Sequence, residues 1–497
     1  MKRTLALILA ALLALTTVAL AQDDASAPFE ETFTFSLIEP LSQQEEGNMI
    51  DRAIEEALNV KIERTLVPNS GYEDKLNVLL ASAKLPDLVQ MRGNVDNAWI
   101  TQEAILPLND LLDKYGQDYL KAWEGVEPYL YDDGKTIYSM KRRDAFTFGY
   151  SNCIRQDWLD KLGLEMTTTL DEYIEVLRAF KTKDPNGNGL ADEIPYVAGT
   201  GALRTFAEAY GLLGNMYLQD GKVVTQYDSE HFFPYVRKMA ELYAEGLIDM
   251  EFSARTDEVR AELMAADQGG SSFANGNAMT EITQALRANG KTNALLSVLL
   301  PIEGPGGRHI GGRNPGGKAL CITVSAKEPE KLMHYMNFYW TEKGIELTNF
   351  GIEGVTFTRN EDGSRTLLPG YNTFAEARKV GISKDSSTMY WHPDSFIQLL
   401  FEGATLDTMD DVVEQSYLAY TTNSPYAYIA LPGAVTNTPT NTEKSADIWT
   451  PLADMTNNVI MGINTEDELR SLIAELHEYG IDQILQEAND NYALLMN

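Results

Sequence analysis

Residues 184–195 read Asp-Pro-Asn-Gly-Asn-Gly-Leu-Ala-Asp-Glu-Ile-Pro, with oxygen-bearing side chains at every second position, Asp184, Asn186 and Asn188. Gly189 follows, and the carboxylates of Asp192 and Glu193 close the run. One tight turn can aim these oxygens, together with the Leu190 carbonyl, at a single ion of calcium size. The alternation matches the opening of an EF-hand loop, but that loop ends on a glutamate at its twelfth position, where this chain has Pro195. Glu193, two residues earlier, is therefore the expected bidentate ligand. The competing reading of the same residues is a polar Asx turn after a helix. Calcium on Asp184, Asn186, Asn188, Leu190, Asp192 and Glu193 would brace a loop, with no part in a reaction.

Signatures of catalysis are scarce elsewhere. His231, His309, His334, His392 and His477 are isolated in sequence, without the pairing a zinc site uses. No Gly-x-Ser-x-Gly elbow or phosphate-binding loop occurs. The glycine-rich run 311–317 lacks dinucleotide-binding spacing and reads as a mobile loop. Acidic residues are numerous enough to hide a glycosidase-type carboxylate pair, so a secreted, calcium-stabilised polysaccharide-degrading enzyme stays open as an alternative.

The chain has 497 residues, more than one core accommodates, so two or three domains are expected. Its 73 acidic residues against 40 basic ones give a formal charge of −33. Nucleic acid is thereby excluded as an expected partner, because phosphate neutralisation needs clustered Lys and Arg. Apolar content of 44% supplies globular cores and argues against overall disorder. Lys2 and Arg3, an apolar stretch over 5–20 and the small-residue site Ala19-Leu20-Ala21 read as a signal peptide, 1–21, cleaved near Ala21. An extracytoplasmic location follows, in the periplasm or at the cell surface. No cysteine stands near the cleavage site to carry a lipid anchor. No later segment reaches the ~20 continuous apolar residues of a membrane helix. Cys153 and Cys321 are the two cysteines; an exported pair can bridge or can be two buried thiols.

The elements that must position this chemistry alternate. Residues 33–38 read as a strand ended by Pro40, then 50–58 as a helix, 61–67 as a strand, 76–83 as a helix and 87–91 as a strand. A β-α-β-α-β order predicts a mainly parallel sheet with helices on its faces. Ligands bind beyond the carboxyl ends of such strands, which makes Arg92 and Asn94 binding candidates. Further on, Trp158 and Leu162 belong to a helix stopped by Gly163, and Thr169 with Glu172 forms a capping box ahead of the acidic loop. A helix over 235–245, a strand over 319–324, a helix over 330–339 and a second capping box at Thr465 and Glu468 continue the α/β pattern.

Several of these stretches carry a resemblance. Cys-Ile-Arg-Gln-Asp-Trp-Leu-Asp-Lys-Leu-Gly-Leu from Cys153, Thr-Thr-Leu-Asp-Glu-Tyr from Thr168, and the acidic block running into Ile194-Pro195 resemble bacterial extracellular solute-binding proteins of family 1. Leu-Pro-Asp-Leu-Val from Leu85, Tyr-Ala-Glu-Gly-Leu-Ile-Asp from Tyr243 and Gly-Ile-Glu-Gly-Val-Thr-Phe-Thr from Gly351 follow the same family order. The nearest likeness is to the branch holding alginate- and oligosaccharide-binding receptors of ABC importers. The resemblance implies an α/β fold of two lobes of the type II periplasmic-binding kind, each a mainly parallel sheet flanked by helices, joined by hinge strands. Lobe 1 would hold 28–148 and 320–385, and lobe 2 would hold 149–319 and 386–497, with the calcium loop 184–193. The implied function is closure of the lobes on a carbohydrate that is released unaltered, with membrane permease subunits as partners and the receptor itself a monomer. A receptor for a non-sugar solute on the same fold is the further alternative. Family crossings near 148–153 and 318–324 would place Cys153 and Cys321 side by side, which implies a hinge disulfide.

A sugar offers apolar C–H faces and rings of hydroxyls, so its receptor needs aromatic plates and planar polar groups. Expected ligand residues are Arg92, Asn94 and Trp99 in the first lobe, and Tyr150 at the first crossing. In the second they are Thr200, Arg204, Asn275, Asn277, Tyr390 and Trp391. Trp158 and Trp340 sit on amphipathic helical patterns and are expected in cores.

Overall fold

The computed structural model describes residues 26–41, 47–92, 95, 97–125, 130–132, 135–143, 149–199, 203–313, 316–383, 389, 392, 395, 398–399 and 410–496. The expected signal segment and its cleavage site lie outside the described residues. The chain divides into two compact units, one of residues 1–125, 137–142 and 318–395, the other of 126–136, 143–317 and 396–497.

The two larger sheets are built from β1 (Phe33–Leu41), β2 (Val60–Pro68), β3 (Leu88–Met91), β4 (Met140–Arg143), β5 (Tyr150–Arg155), β6 (Ile194–Val197), β7 (Gly269–Asn275), β8 (Leu296–Leu299) and β9 (Gly316–Ile322). In the first unit the order is β2-β1-β3-β9-β4. β1 runs parallel to β2 along its whole length, Phe33 opposite Val60 through Leu41 opposite Pro68, and parallel to β3 at Leu37 and Ile38. Pro40 does not end β1 as its lack of an N–H suggested. The β3 ladder is confined to Leu37 and Ile38, so at position 40 only the β2 ladder remains to be served. The helix Met49–Leu58 makes the β1–β2 crossover. It buries Ile50, Ile54 and Leu58, opens on Asn48, whose side chain accepts from the Asp51 N–H, and stops at left-handed Asn59. Ile38, Tyr72, Leu76, Val89, Trp99 and Cys321 form the core between this sheet and its helices.

The second unit's sheet has the order β8-β5-β7-β6. Only β6 and β7 are parallel; β5 is antiparallel to both β7 and β8. The expectation of a mainly parallel sheet is corrected for this second unit in its strand directions, within an α/β fold that stands. A parallel neighbour requires a long crossover, and β5 enters its sheet from the preceding segment with no βαβ unit to fix its direction. β9 is likewise antiparallel to β3 in the first unit.

Both capping boxes form. Thr169 and Glu172 start the helix Leu170–Thr182, and Thr465 and Glu468 start Glu466–Leu476. Leu170–Thr182 packs Tyr173, Leu177 and Phe180 into a core with Trp158, Tyr196, Phe206 and, from the C-terminal helices, Ile448, Leu452 and Leu469. Gly270 makes that approach possible: a Cβ there would stand 2.5 Å from the Phe180 ring and 3.0 Å from Trp158. Trp158 and Trp340 are both buried.

The implied disulfide is not formed; Cys153 and Cys321 are two buried thiols. Strand alternation accounts for both. Cys153 points into the core with Val197, Met264 and Leu296, and its thiol donates to the Ser272 carbonyl at 3.4 Å. Cys321 points into the core of the first unit with Val89 and Met91. Burial pushes the Cys153 thiol up to about 12, out of reach of thiolate chemistry at neutral pH. Thiol titration of native protein is expected to find no reactive group, and denatured, unreduced protein is expected to give two. Two missing thiols restored only by a reductant would overturn this assignment.

Candidate functional site

In the second unit the residues with sugar-binding chemistry gather where β7 ends and β5 begins. The register sets Tyr150 opposite Asn275 and Asn152 opposite Phe273. Tyr150 and Phe273 are thus diagonal neighbours on one face, and their rings stack at 5.6 Å with an interplanar angle of 16°. The Tyr150 side of this pair is 37% exposed. Arg204 adds a planar cation, its Cζ 5.4 Å from the Phe273 ring centre.

Buried hydrogen bonds fix where Arg204 stands. It opens the helix Arg204–Ala209, whose next residue, Thr205, donates to Asn152 Oδ1 on β5 at 2.7 Å and lies 3.2 Å from the Tyr196 hydroxyl on β6. Glu208, one turn on, is 2% exposed. Its Oε1 accepts from Arg204 Nε at 2.7 Å and from the Gly311 N–H at 2.6 Å, while its Oε2 is buried and has no hydrogen-bond partner among the described residues. Burial pushes the Glu208 carboxyl above its usual range, with the Arg204 guanidinium pulling it back. Arg204 Nη2 also reaches the Tyr428 hydroxyl at 3.4 Å. The start of β5 is pinned by Asn423, which donates to the Tyr150 carbonyl at 3.2 Å.

The other expected ligand residues fall differently. Asn275 is beside this cluster, but its Oδ1 caps the helix Gly276–Ala288 by accepting from the Ala278 N–H at 2.8 Å. Asn277 is exposed in the first turn of that helix. Arg92 is exposed just past β3 and donates to the Asn69 carbonyl at 3.3 Å. Trp99 is corrected from ligand plate to core: it is 1% exposed among Ile38, Tyr72 and Val89. Asn94, Thr200, Tyr390 and Trp391 lie outside the described residues. Sequence reading missed Phe273, Glu208 and Tyr428. The first two left signals, a two-residue step from Asn275 along a strand and a four-residue step from Arg204 along a helix.

The acidic loop joins the helix Leu170–Thr182 to β6. Asp184 accepts from the Gly187 and Asn188 amides through Oδ1, at 2.9 and 3.1 Å, and from the Gly189 amide through Oδ2 at 3.1 Å. Asn186 Oδ1 and Asn188 Oδ1 accept from the amides two residues on, at 3.0 and 2.7 Å. Gly187 and Gly189 are left-handed, φ +73° and +76°, which the tight path requires. Asn188 Nδ2 donates to both Asp192 oxygens, at 3.0 and 3.2 Å, and Asn186 Nδ2 to Oδ1 at 3.3 Å. Glu193 is buried, and its Oε1 has no hydrogen-bond partner among the described residues. Burial pushes its carboxyl above the usual range, and Asp184 and Asp192 push it the same way.

Among the described residues no three His, Cys, Asp or Glu side chains converge closely enough to hold a metal ion. Calcium does not need that: it takes amide and carbonyl oxygens alongside carboxylates. A buried carboxylate with one oxygen unpartnered among the described residues, repelled by two others, suits a cation, and Asn186 and Asn188, now donating to Asp192, would have to turn their oxygens inward. Leu190, with its side chain 62% exposed, has only its carbonyl to contribute.

The family model described as bacterial extracellular solute-binding protein matches residues 43–345. The chain is 25% identical over 362 residues, 68% of its length and 71% of the relative's, to lipoprotein LipO of Bacillus subtilis. It is 33% identical over 251 residues, 45% of its length and 46% of the relative's, to the fructooligosaccharide ABC transporter substrate-binding protein FusA of Streptococcus pneumoniae. It is 24% identical over 466 residues, 90% and 89% of the two chains, to the polygalacturonan/rhamnogalacturonan-binding protein YtcQ of B. subtilis. Among solved structures, an HMO binding ABC-transporter associated solute-binding protein of Bifidobacterium longum infantis matches with a TM-score of 0.74 at 20% identity, over 93% of this chain and 99% of that one. The alginate-binding protein AlgQ2 without calcium ion matches with a TM-score of 0.65 at 21% identity, over 94% and 99%. The matched family region spans more than half of the sequence, and the chain belongs to the bacterial extracellular solute-binding protein family.

Proposed function

We propose that this chain is the extracytoplasmic substrate-binding protein of an ABC importer and that its ligand is a carbohydrate, an oligosaccharide in particular. The observation that carries this reading is the Tyr150–Phe273–Arg204 surface, an aromatic stack with a guanidinium beside it at the end of β7. It supplies a flat apolar face for sugar C–H groups and a planar donor for hydroxyls. Relatives that bind fructooligosaccharide and pectic glycans support the same ligand class. Family membership favours a receptor over a hydrolase, so the sugar leaves unchanged and the output is a liganded shape offered to permease subunits. The working form is a monomer, exported with cleavage near Ala21.

Calorimetry across a glycan panel is expected to give saturable binding to one oligosaccharide class at micromolar Kd, about −8 kcal/mol, with no new reducing ends. Tyr150→Ala should weaken that binding roughly 2- to 12-fold, the equivalent of ~0.5–1.5 kcal/mol for one aromatic contact. Small-angle scattering should record compaction on adding the same sugar, the motion a closing receptor requires. A flat response to every glycan would remove the reading.

We further propose that loop 184–193 holds one structural calcium ion, with Asp184, Asn186, Asn188, Asp192, Glu193 and the Leu190 carbonyl as its ligands. The unpartnered Glu193 oxygen beside two like charges supports this. Chelation is expected to lower the melting temperature, and Asp184→Ala to abolish the difference. A carboxyl whose folded-state value is raised binds more protons folded than unfolded, so its charged form opposes folding at neutral pH when no cation compensates it. Glu193→Gln should therefore melt above wild type in chelator and lose the response to calcium. A melting curve indifferent to calcium would defeat the proposal.

A further inference from the structure

The Arg204–Glu208 pair bears on which sugars the site accepts. Arg204 is the cation at the Tyr150–Phe273 stack, and its charge is already matched by a carboxylate 2.7 Å away. Glu208 cannot turn aside: Gly311 holds the same oxygen from the opposite element, and the side chain is 2% exposed. Among the described residues its second oxygen is buried and accepts no hydrogen bond, so the charge of this carboxylate is balanced through one oxygen alone, by Arg204 and the Gly311 N–H. A ligand carboxylate brought to Arg204 would meet this fixed anion through a poorly screened interior. A hydroxyl would not, and the guanidinium edge can donate to it at no electrostatic cost.

We propose that the Tyr150–Phe273–Arg204 surface selects uncharged sugar rings over uronates, and that Glu208 is the positioning residue that imposes this choice. The proposal rests on the carbohydrate-receptor reading above. Glu208 acts in two ways through one contact. It lays the guanidinium against Phe273, and it cancels the charge that would recruit an acidic sugar. Specificity here comes from a built-in repulsion as much as from attraction.

The test is calorimetry of wild type and Glu208→Gln against neutral fructo-, gluco-, galacto- and manno-oligosaccharides and against oligogalacturonate and oligomannuronate. Wild type is expected to bind its best neutral sugar at least about tenfold more tightly than any uronate. Glu208→Gln keeps an oxygen for Arg204 and Gly311 but removes the charge, so the neutral-to-uronate ratio should fall about tenfold or more, largely by gain of uronate affinity. A merely structural role would weaken both classes together and leave that ratio unchanged. Should the variant misfold, the wild-type ratio alone decides. A uronate bound as tightly as, or more tightly than, every neutral sugar overturns the selectivity while leaving the receptor reading intact, and so does an unchanged ratio in the variant. Silence toward all sugars removes both.

Discussion

The antiparallel pairing of β5 with β7 is the constraint on which the candidate site depends. It sets Tyr150 against Asn275, and through the pleat it brings the rings of Tyr150 and Phe273 face to face. A one-residue slip would turn Phe273 to the opposite side of the sheet and dissolve the stack. Register is held by groups that no slip could satisfy. The Ser271 hydroxyl donates to the Cys153 carbonyl at 2.7 Å, and Thr205 donates to Asn152 at the same distance. These bonds are buried, so breaking them would strand polar atoms away from water, each at a cost of ~1–3 kcal/mol.

Charge in this molecule works by placement, and its net value says little about the site. The −33 total describes a surface. Inside, cations and carboxylates are matched closely: Arg155 is shared between Asp157 at 2.6 Å and Asp267 at 2.7 Å, and Arg64 lies near Glu39, Asp51 and Glu55 at 3.4, 3.4 and 2.8 Å. Such pairs add little net stability over apolar packing, but they leave few ways to arrange the elements that carry them. Arg204 and Glu208 use the same device at the ligand surface, where it fixes orientation and also decides which charge is tolerated.

What could be read from the sequence divides along physical lines. Helices with caps and one apolar face were legible, because cap chemistry and 3.6-residue periodicity are local: Thr169 with Glu172 and Thr465 with Glu468 stand where their spacing put them. Strand direction in the second sheet was not, since β5 finds its partners more than a hundred residues away. Pro40 misled for a related reason: whether a missing N–H matters depends on the neighbour strand, which the local sequence does not name. Tyr150 and Arg204 could be picked out as chemistry, whereas Phe273 left only its two-residue step from Asn275, and the cross-strand register is what makes it a platform. Trp99 carries the same aromatic chemistry as Tyr150, and the fold buries it.

The acidic loop gains significance from what it is tied to. It leads directly into β6, whose Tyr196 hydroxyl meets Thr205, which in turn holds the helix bearing Arg204 and Glu208. From outside, Lys161 donates to the Pro185 carbonyl at 2.8 Å and Lys291 to the Asn186 carbonyl at 3.3 Å, while Asn186 donates to the Asp267 carbonyl at 3.1 Å. Asp267 is also the partner of Arg155 at the end of β5. The loop is therefore tied to the end of β5 through Asp267, and its own weak point is Glu193, whose Oε1 accepts no hydrogen bond among the described residues. A cation at that point would remove the repulsion and stiffen the β6 entry, and with it the chain of hydrogen bonds that ends at Arg204. A cation held there would in this way share one scaffold with the candidate ligand surface, joined through Tyr196, Thr205 and Asn152.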